Sequence, residues 1–215
     1  MRLSILYDNE AFAPGIISDW GFCCLIQTKE VNILFDTGAD GRILLKNMEI
    51  MGISPLCVDM VFISHGHWDH TGGVRDVLSQ KKVPVVVPSS AGPTRPVTGI
   101  QVIKEALELY PGIYTTGELG GIEQSLILET RRGLLVVVGC SHPGLDNILH
   151  AASGYGKVVH LVGGLHGFDQ LQLLAPLSRI CPVHCTVNKR AIRSVYPDKW
   201  EQGGAGRVLE FGDKD

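Results

Sequence analysis

The stretch that decides the fold reads Val61-Phe62-Ile63-Ser64-His65-Gly66-His67-Trp68-Asp69-His70-Thr71-Gly72-Gly73. Its apolar start is a short buried strand, and that strand delivers three imidazoles and a carboxylate. Side chains two apart on an extended backbone face the same way, so the spacing predicts that His65, His67 and Asp69 converge while His70 points elsewhere. That offset suits two metal ions side by side. Imidazole nitrogen and carboxylate oxygen suit zinc and other borderline divalent metals, and the glycines admit close backbone approach. Multiplying the chain's own residue frequencies, HxHxDH arises by accident on the order of once in a thousand such chains.

The rest of the chain bounds the answer. Its 215 residues, 45% hydrophobic, suffice for one substantial core, and no linker divides them, so one domain over residues 1–215 is expected. A formal charge of -3 argues against a nucleic-acid backbone as the main partner. The first twelve residues turn polar too soon for a signal peptide, and no apolar run approaches the length of a membrane span. The expectation is a cytoplasmic protein that acts on a small molecule, touches no membrane and leaves homo-oligomerisation open. Cys23, Cys24, Cys57, Cys140, Cys181 and Cys185 form no CxxC pairs, so reduced thiols are expected. The Cys181/Cys185 spacing is weak evidence for a zinc knuckle, and adjacent Cys23 and Cys24 read as core.

The string HGHWDHTGG resembles the signature of the metallo-beta-lactamase superfamily, whose members carry HxHxDH at a strand end in an αββα sandwich. The resemblance extends to LFDTG at residues 34–38, where it implies that Asp36 lies behind the metal site and orients a ligand histidine. From the residues alone, Asp36 as a cap of the next helix is an equal alternative. Three further stretches, TTGE followed by EQSLIL, VGCSHPG and GGLH, resemble one branch, usually labelled 7,8-dihydropterin-6-methyl-4-(β-D-ribofuranosyl)-aminobenzene-5'-phosphate synthase. The resemblance implies His65, His67 and His142 on a first metal, and Asp69, His70 and His184 on a second. The chain departs from the wider superfamily at Cys140-Ser141-His142. There a strand commonly ends in Gly-Asp, whose aspartate bridges both metals.

Along the chain, Leu3, Ile5 and Tyr7 alternate with polar residues, and two apolar runs to Phe35 complete a β-meander. Residues 40–51 space Ile43, Leu44, Met48 and Met51 as an amphipathic helix, Ser54-Pro55 starts a helical turn, and 74–80 is helical. A strand over 83–88 leads to a Ser/Pro/Gly-rich surface loop at 89–98. GIYTT and QSLILE are strands flanking a turn in which Glu118 reads as solvated. LLVVVGC and VVHLVGG are buried strands that end in His142 and His166, with a helix over 146–156 between them. His150 and His160 read as structural. QLQLLAPLSRI reads as a helix before a short strand ending at His184, then residues 188–198 form a helix bearing Lys189, Arg190 and Arg193, and 206–215 supply an edge strand and polar tail. His166 ends a strand beside the ligands, as a hydrogen-bond or proton donor to substrate or as a ligand itself.

The chemistry expected is a metal-dependent hydrolase with two Zn2+, iron or manganese being alternatives, using metal-bound hydroxide on a phosphoester, thioester, lactone or amide. Asp69 and His166 are its catalytic candidates. A pterin-phosphate synthase, a catalytically weak metal-binding sensor and an iron redox protein are the other readings.

Overall fold

The computed structural model describes residues 1–91 and 99–212. In chain order the strands and helices are β1 (Arg2–Tyr7), β2 (Cys23–Gln27), β3 (Asn32–Phe35), α1 (Gly41–Ile50), β4 (Met60–Phe62), α2 (Trp68–Thr71), α3 (Val74–Gln80), β5 (Val85–Pro88), β6 (Ile100–Ile103), β7 (Leu107–Tyr110), β8 (Ile113–Thr115), β9 (Leu126–Thr130), β10 (Gly133–Val138), α4 (Leu145–Ser153), β11 (Val158–Gly164), β12 (Arg179–Val183), α5 (Lys189–Val195) and β13 (Val208–Glu210).

Two mixed sheets result. One runs β13-β1-β2-β3-β4-β5-β6 and the other β12-β11-β10-β9-β8-β7. Leu3, Ile5, Phe35 and Phe62 of the first sheet meet Leu126, Leu128, Leu135 and Val137 of the second in the inner core, and Phe35 stacks on Phe62 with ring centroids 5.4 Å apart. The outer face of the first sheet packs Leu25, Leu34 and Val61 against Leu44 and Met48 of α1 and Val77 of α3. The outer face of the second packs Val136, Val138 and Leu161 against Ile148 of α4 and Ile192 of α5. The strands buried on both sides are therefore continuous apolar runs, and the amphipathic helices cover them: the αββα arrangement.

Local chemistry sets the helix ends. Asp40 caps α1 by accepting the Arg42 N–H at 2.8 Å, and Ser54 with Pro55 opens a single 3-10 turn over Pro55–Cys57. The helix expected over QLQLLAPLSRI is instead a 3-10 turn at Leu171–Leu174 followed by β12, which takes in Arg179 and Ile180. Pro176 lacks the N–H a continuing helix needs, and Ile180 completes the sheet beside Leu161. Of the loop expected over 89–98, Ser89–Ala91 is a 3-10 turn; residues 92–98, and the tail at 213–215, lie outside the described residues.

What places the site is strand direction. β3, β4 and β5 run parallel, as do β10, β11 and β12, so the carboxyl ends of both sets gather at one edge of the sandwich. Side chains with chemistry are thereby collected where parallel strands end. Among the described residues no helix is long and apolar enough to cross a membrane.

Candidate metal centre

Asp36, Ser141, His166 and His184 are the non-glycine residues with positive φ among those described, at 55°, 62°, 45° and 50°. Each follows a strand, β3, β10, β11 or β12, at the same edge. Left-handed backbone at such residues costs on the order of 1–3 kcal/mol each, and four of them together mark an edge shaped for chemistry rather than for stability.

Behind this edge sits Asp36, fully buried. One carboxylate oxygen accepts the Ser64 N–H at 2.7 Å; the other accepts the Ser64 hydroxyl at 2.7 Å and lies 2.7 Å from His70 Nδ1. Ser64 Oγ in turn lies 2.9 Å from His65 Nδ1. One carboxylate thus fixes two imidazoles by their Nδ1 sides and leaves both Nε2 atoms facing forward. The helix-cap alternative for Asp36 falls, because Asp40 does the capping.

The forward nitrogens converge. His65 Nε2 is 3.0 Å from His67 Nδ1 and 3.3 Å from His142 Nε2. Four-coordinate zinc with Zn–N bonds near 2.05 Å separates its nitrogens by about 3.3 Å, so these two separations match the edge length of a metal site. His65 is buried, His142 half-buried and His67 exposed, so the group opens to solvent on one side. Burial, reinforced by the neighbouring imidazoles His70 and His142, pushes His65 well below the usual histidine range, and burial with His166 nearby holds His142 at about 4. Neutral rings with free lone pairs result.

Beside it lies a second group. His184 Nε2 is buried without a hydrogen bond, 3.4 Å from Asp69 Oδ2, and His70 Nε2 is 3.9 Å from the same oxygen. An orphaned buried nitrogen facing a carboxylate fits a metal ligand. Burial works against the Asp69 carboxylate, but His184 and His70 beside it hold it down at about 2. Burial depresses His184 too, whereas at His70 the Asp36 charge overcomes burial and raises the ring. Asn9 Oδ1 lies 2.9 Å from His184 Nδ1, and Asp8 accepts the His184 N–H at 2.8 Å.

The extended-backbone reading of HxHxDH holds only as far as His67. That residue caps the one-turn helix α2, so Asp69 and His70 are aimed by helical geometry, and His70 joins the cluster rather than pointing away, its ring centroid 4.1 Å from that of His65. His166 is exposed and its ring lies 4.5 Å from His142. A cavity of about 260 Å3 opens beside these two rings, walled by Phe168, Asp169 and Leu173. Cys181 is in the inner core and Cys185 in the site, so the knuckle spacing joins nothing. His160 packs on Phe211, and Glu118 accepts the Ser89 hydroxyl and the Ser90 N–H at the surface.

Three features escaped the sequence. Asn9 and Asp8 come from the far N-terminal strand end and carry no local signal. Glu123 is fully buried and gathers four backbone donors: Gly139, Cys140 and Ser141 on Oε1 at 3.0, 3.0 and 3.1 Å, and His142 on Oε2 at 2.9 Å. It fixes the whole Gly139–His142 turn. Burial raises its carboxyl, and those N–H bonds pull the other way.

The model of the metallo-beta-lactamase superfamily matches residues 21–159. The chain belongs to that superfamily. A 7,8-dihydropterin-6-methyl-4-(beta-D-ribofuranosyl)-aminobenzene-5'-phosphate synthase of Methanocaldococcus jannaschii is 27% identical, over 95% of this chain and 94% of that protein. An uncharacterised protein of the same organism is 22% identical over 96% and 99%. Among solved structures, a metal-dependent hydrolase of the beta-lactamase superfamily superposes with a TM-score of 0.78 at 24% identity, covering 99% of this chain and 100% of that one. A diphosphatase of the PhnP family gives 0.66 at 13% identity, over 98% and 97%. These two superpositions carry the fold.

Proposed function

We propose that the protein is a metal-dependent hydrolase that binds two divalent ions, most simply zinc, and acts on a small phosphoester, thioester or lactone. The observation that carries this reading is the pair of adjacent ligand groups: His65, His67 and His142 for one ion, and Asp69, His70 and His184 for the other. The donor set, five imidazoles and a carboxylate with ring nitrogens turned inward and an orphaned His184 Nε2, fits such ions.

Divalent ions bound there supply a water acidic enough to lose a proton near neutrality and offset charge on the reacting oxygen. Asp36, through Ser64 and His70, keeps the ligand rings in one tautomer with Nε2 forward. Asp69, ionised throughout the neutral range, orients the nucleophilic water by accepting its hydrogen bond. His166, held below the usual histidine range by partial desolvation and the nearby His67 and His70, donates one N–H to the oxyanion or leaving group.

The test is a panel of phosphodiester, thioester and lactone substrates with zinc-, iron- and manganese-loaded protein. Turnover of at least one class, lost in Asp69→Asn, supports the reading; inertness of every metal form overturns it. A synthase acting on a pterin-type phosphate is the second reading, favoured by the 27% identity over nearly the full length of a protein so named. It requires pterin and ribosyl phosphates to raise the melting temperature, and the absence of any shift removes it.

A further inference from the structure

We infer that Cys140 is the ligand shared by both ions, a bridging thiolate in a site otherwise built from imidazole and carboxylate. The inference rests on the two-ion reading above. Its first support is position. His65, Cys140 and His142 form one potential ligand group and His70, Cys140 and His184 another, the ligand atoms within each lying inside 4.8 Å of one another; Cys140 alone is common to the two. Its Sγ is 3.3 Å from His70 Nε2, near the roughly 3.5 Å edge that a tetrahedral ion with one Zn–S and one Zn–N bond would give.

The second support is elimination. Asp69 is turned toward His184 and His70, at 3.4 and 3.9 Å. Asp36 lies behind the rings, at their Nδ1 atoms, and both oxygens of Glu123 are taken up by backbone donors. Asp36 and Glu123 are thereby occupied, and Asp69 sits with the second group.

The third is space. β11 ends at Gly164, where a Cβ would come 2.5 Å from the Gly139 carbonyl, 2.7 Å from Cys185 Sγ and 3.4 Å from Cys140 Cα. The volume that a side chain at this strand tip would fill belongs to the cysteine pair. Ser141 holds its left-handed conformation by donating its hydroxyl to the Gly164 carbonyl at 2.8 Å, which aims Cys140 and His142, its two neighbours, at the same site. Cys185 Sγ lies 3.4 Å from Cys140 Sγ, accepts the His166 N–H, and forms with Cys140 and His166 a third potential ligand group.

On binding, the Cys140 thiol loses its proton to solvent and its sulfur lone pairs bond both ions, as coordinating thiols do. A soft bridge selects zinc or iron over manganese and magnesium. The test is cobalt titration of the metal-free protein, followed by absorption, together with X-ray absorption on the zinc-loaded wild type, which needs no variant. Expected is a thiolate-to-cobalt charge-transfer band that grows through both equivalents, about one sulfur per zinc, and loss of the band in Cys140→Ser but not in Cys185→Ser. Two bound cobalt ions with no such band, a band complete after the first equivalent, or a band lost only in Cys185→Ser would overturn the bridge and leave the two-ion site standing. Failure of wild type to bind cobalt would overturn both.

Discussion

Glu123→Gln isolates the contribution of a single buried carboxylate. In the native turn each contact to Glu123 is a backbone N–H donor, three on Oε1 and one on Oε2. Glutamine keeps one oxygen and puts an amide NH2 where the other stood. If the oxygen stays with the three donors, the NH2 faces the His142 N–H, and two buried donors are left without an acceptor. Each costs about 2 kcal/mol, so the variant loses about 4 kcal/mol, of a total stability of about 5–15 kcal/mol. For a chain of this length that lowers the melting temperature by about 12 °C. Because the same turn carries Cys140 and His142, metal affinity falls with stability, whereas a remote core substitution would lower stability alone. Circular dichroism melts of metal-free protein and a chelator competition assay measure the two effects. A melting temperature within about 2 °C of wild type, with unchanged affinity, would refute the argument.

Other perturbations follow from the same geometry. Asp36→Asn removes the charge behind His65 and His70, and metal affinity should fall about 10–100-fold in chelator competition; wild-type affinity would show that the carboxylate does not orient the ligands. Asn9→Ala frees His184 Nδ1, so the second ion should bind more weakly while the first is retained, as read by stoichiometry under limiting chelator; equal loss of both ions would contradict this. His142 has a folded pKa near 4, below its unfolded value of about 6.5. Its stabilising effect is therefore complete above pH 6.5 and lost as pH falls toward 4. Asp8, raised to about 6 by burial, acts in the opposite sense, its penalty growing as pH rises from about 4 to about 6. Metal-free His142→Asn should accordingly lose less stability than wild type between pH 6.5 and 4, and identical pH profiles would dispose of the assignment.

Much of this was legible in the chain because apolar runs and ligand residues follow one another directly. Val61–Ile63 run into His65, Leu134–Val138 into Cys140, and Val158–Val162 into His166, so a strand and the functional residue at its tip are read together. The αββα sandwich was implied by the resemblance that HGHWDHTGG carries, and strands apolar on both faces with amphipathic helices such as Gly41–Ile50 agree with it. What could not be read depends on contacts remote in sequence. Glu123 reaches a turn 16 to 19 residues away, and Asn9 reaches His184 across 175. The aim of Asp69 and His70 was misread because one helical turn, capped by His67, replaces extended chain inside a six-residue motif. β6 and β7 went unread because Ile100–Ile103 and Leu107–Tyr110 are short and only partly buried, so their pattern is weak.

The most direct test of the two-ion centre is metal per chain, measured by elemental analysis on wild type and His142→Ala prepared identically. The account predicts about two divalent ions per wild-type chain and about one in the variant, which keeps Asp69, His70 and His184 but loses a ligand of the first ion. Folded wild-type protein that takes up no divalent metal, or a variant that binds as much as wild type, would contradict it.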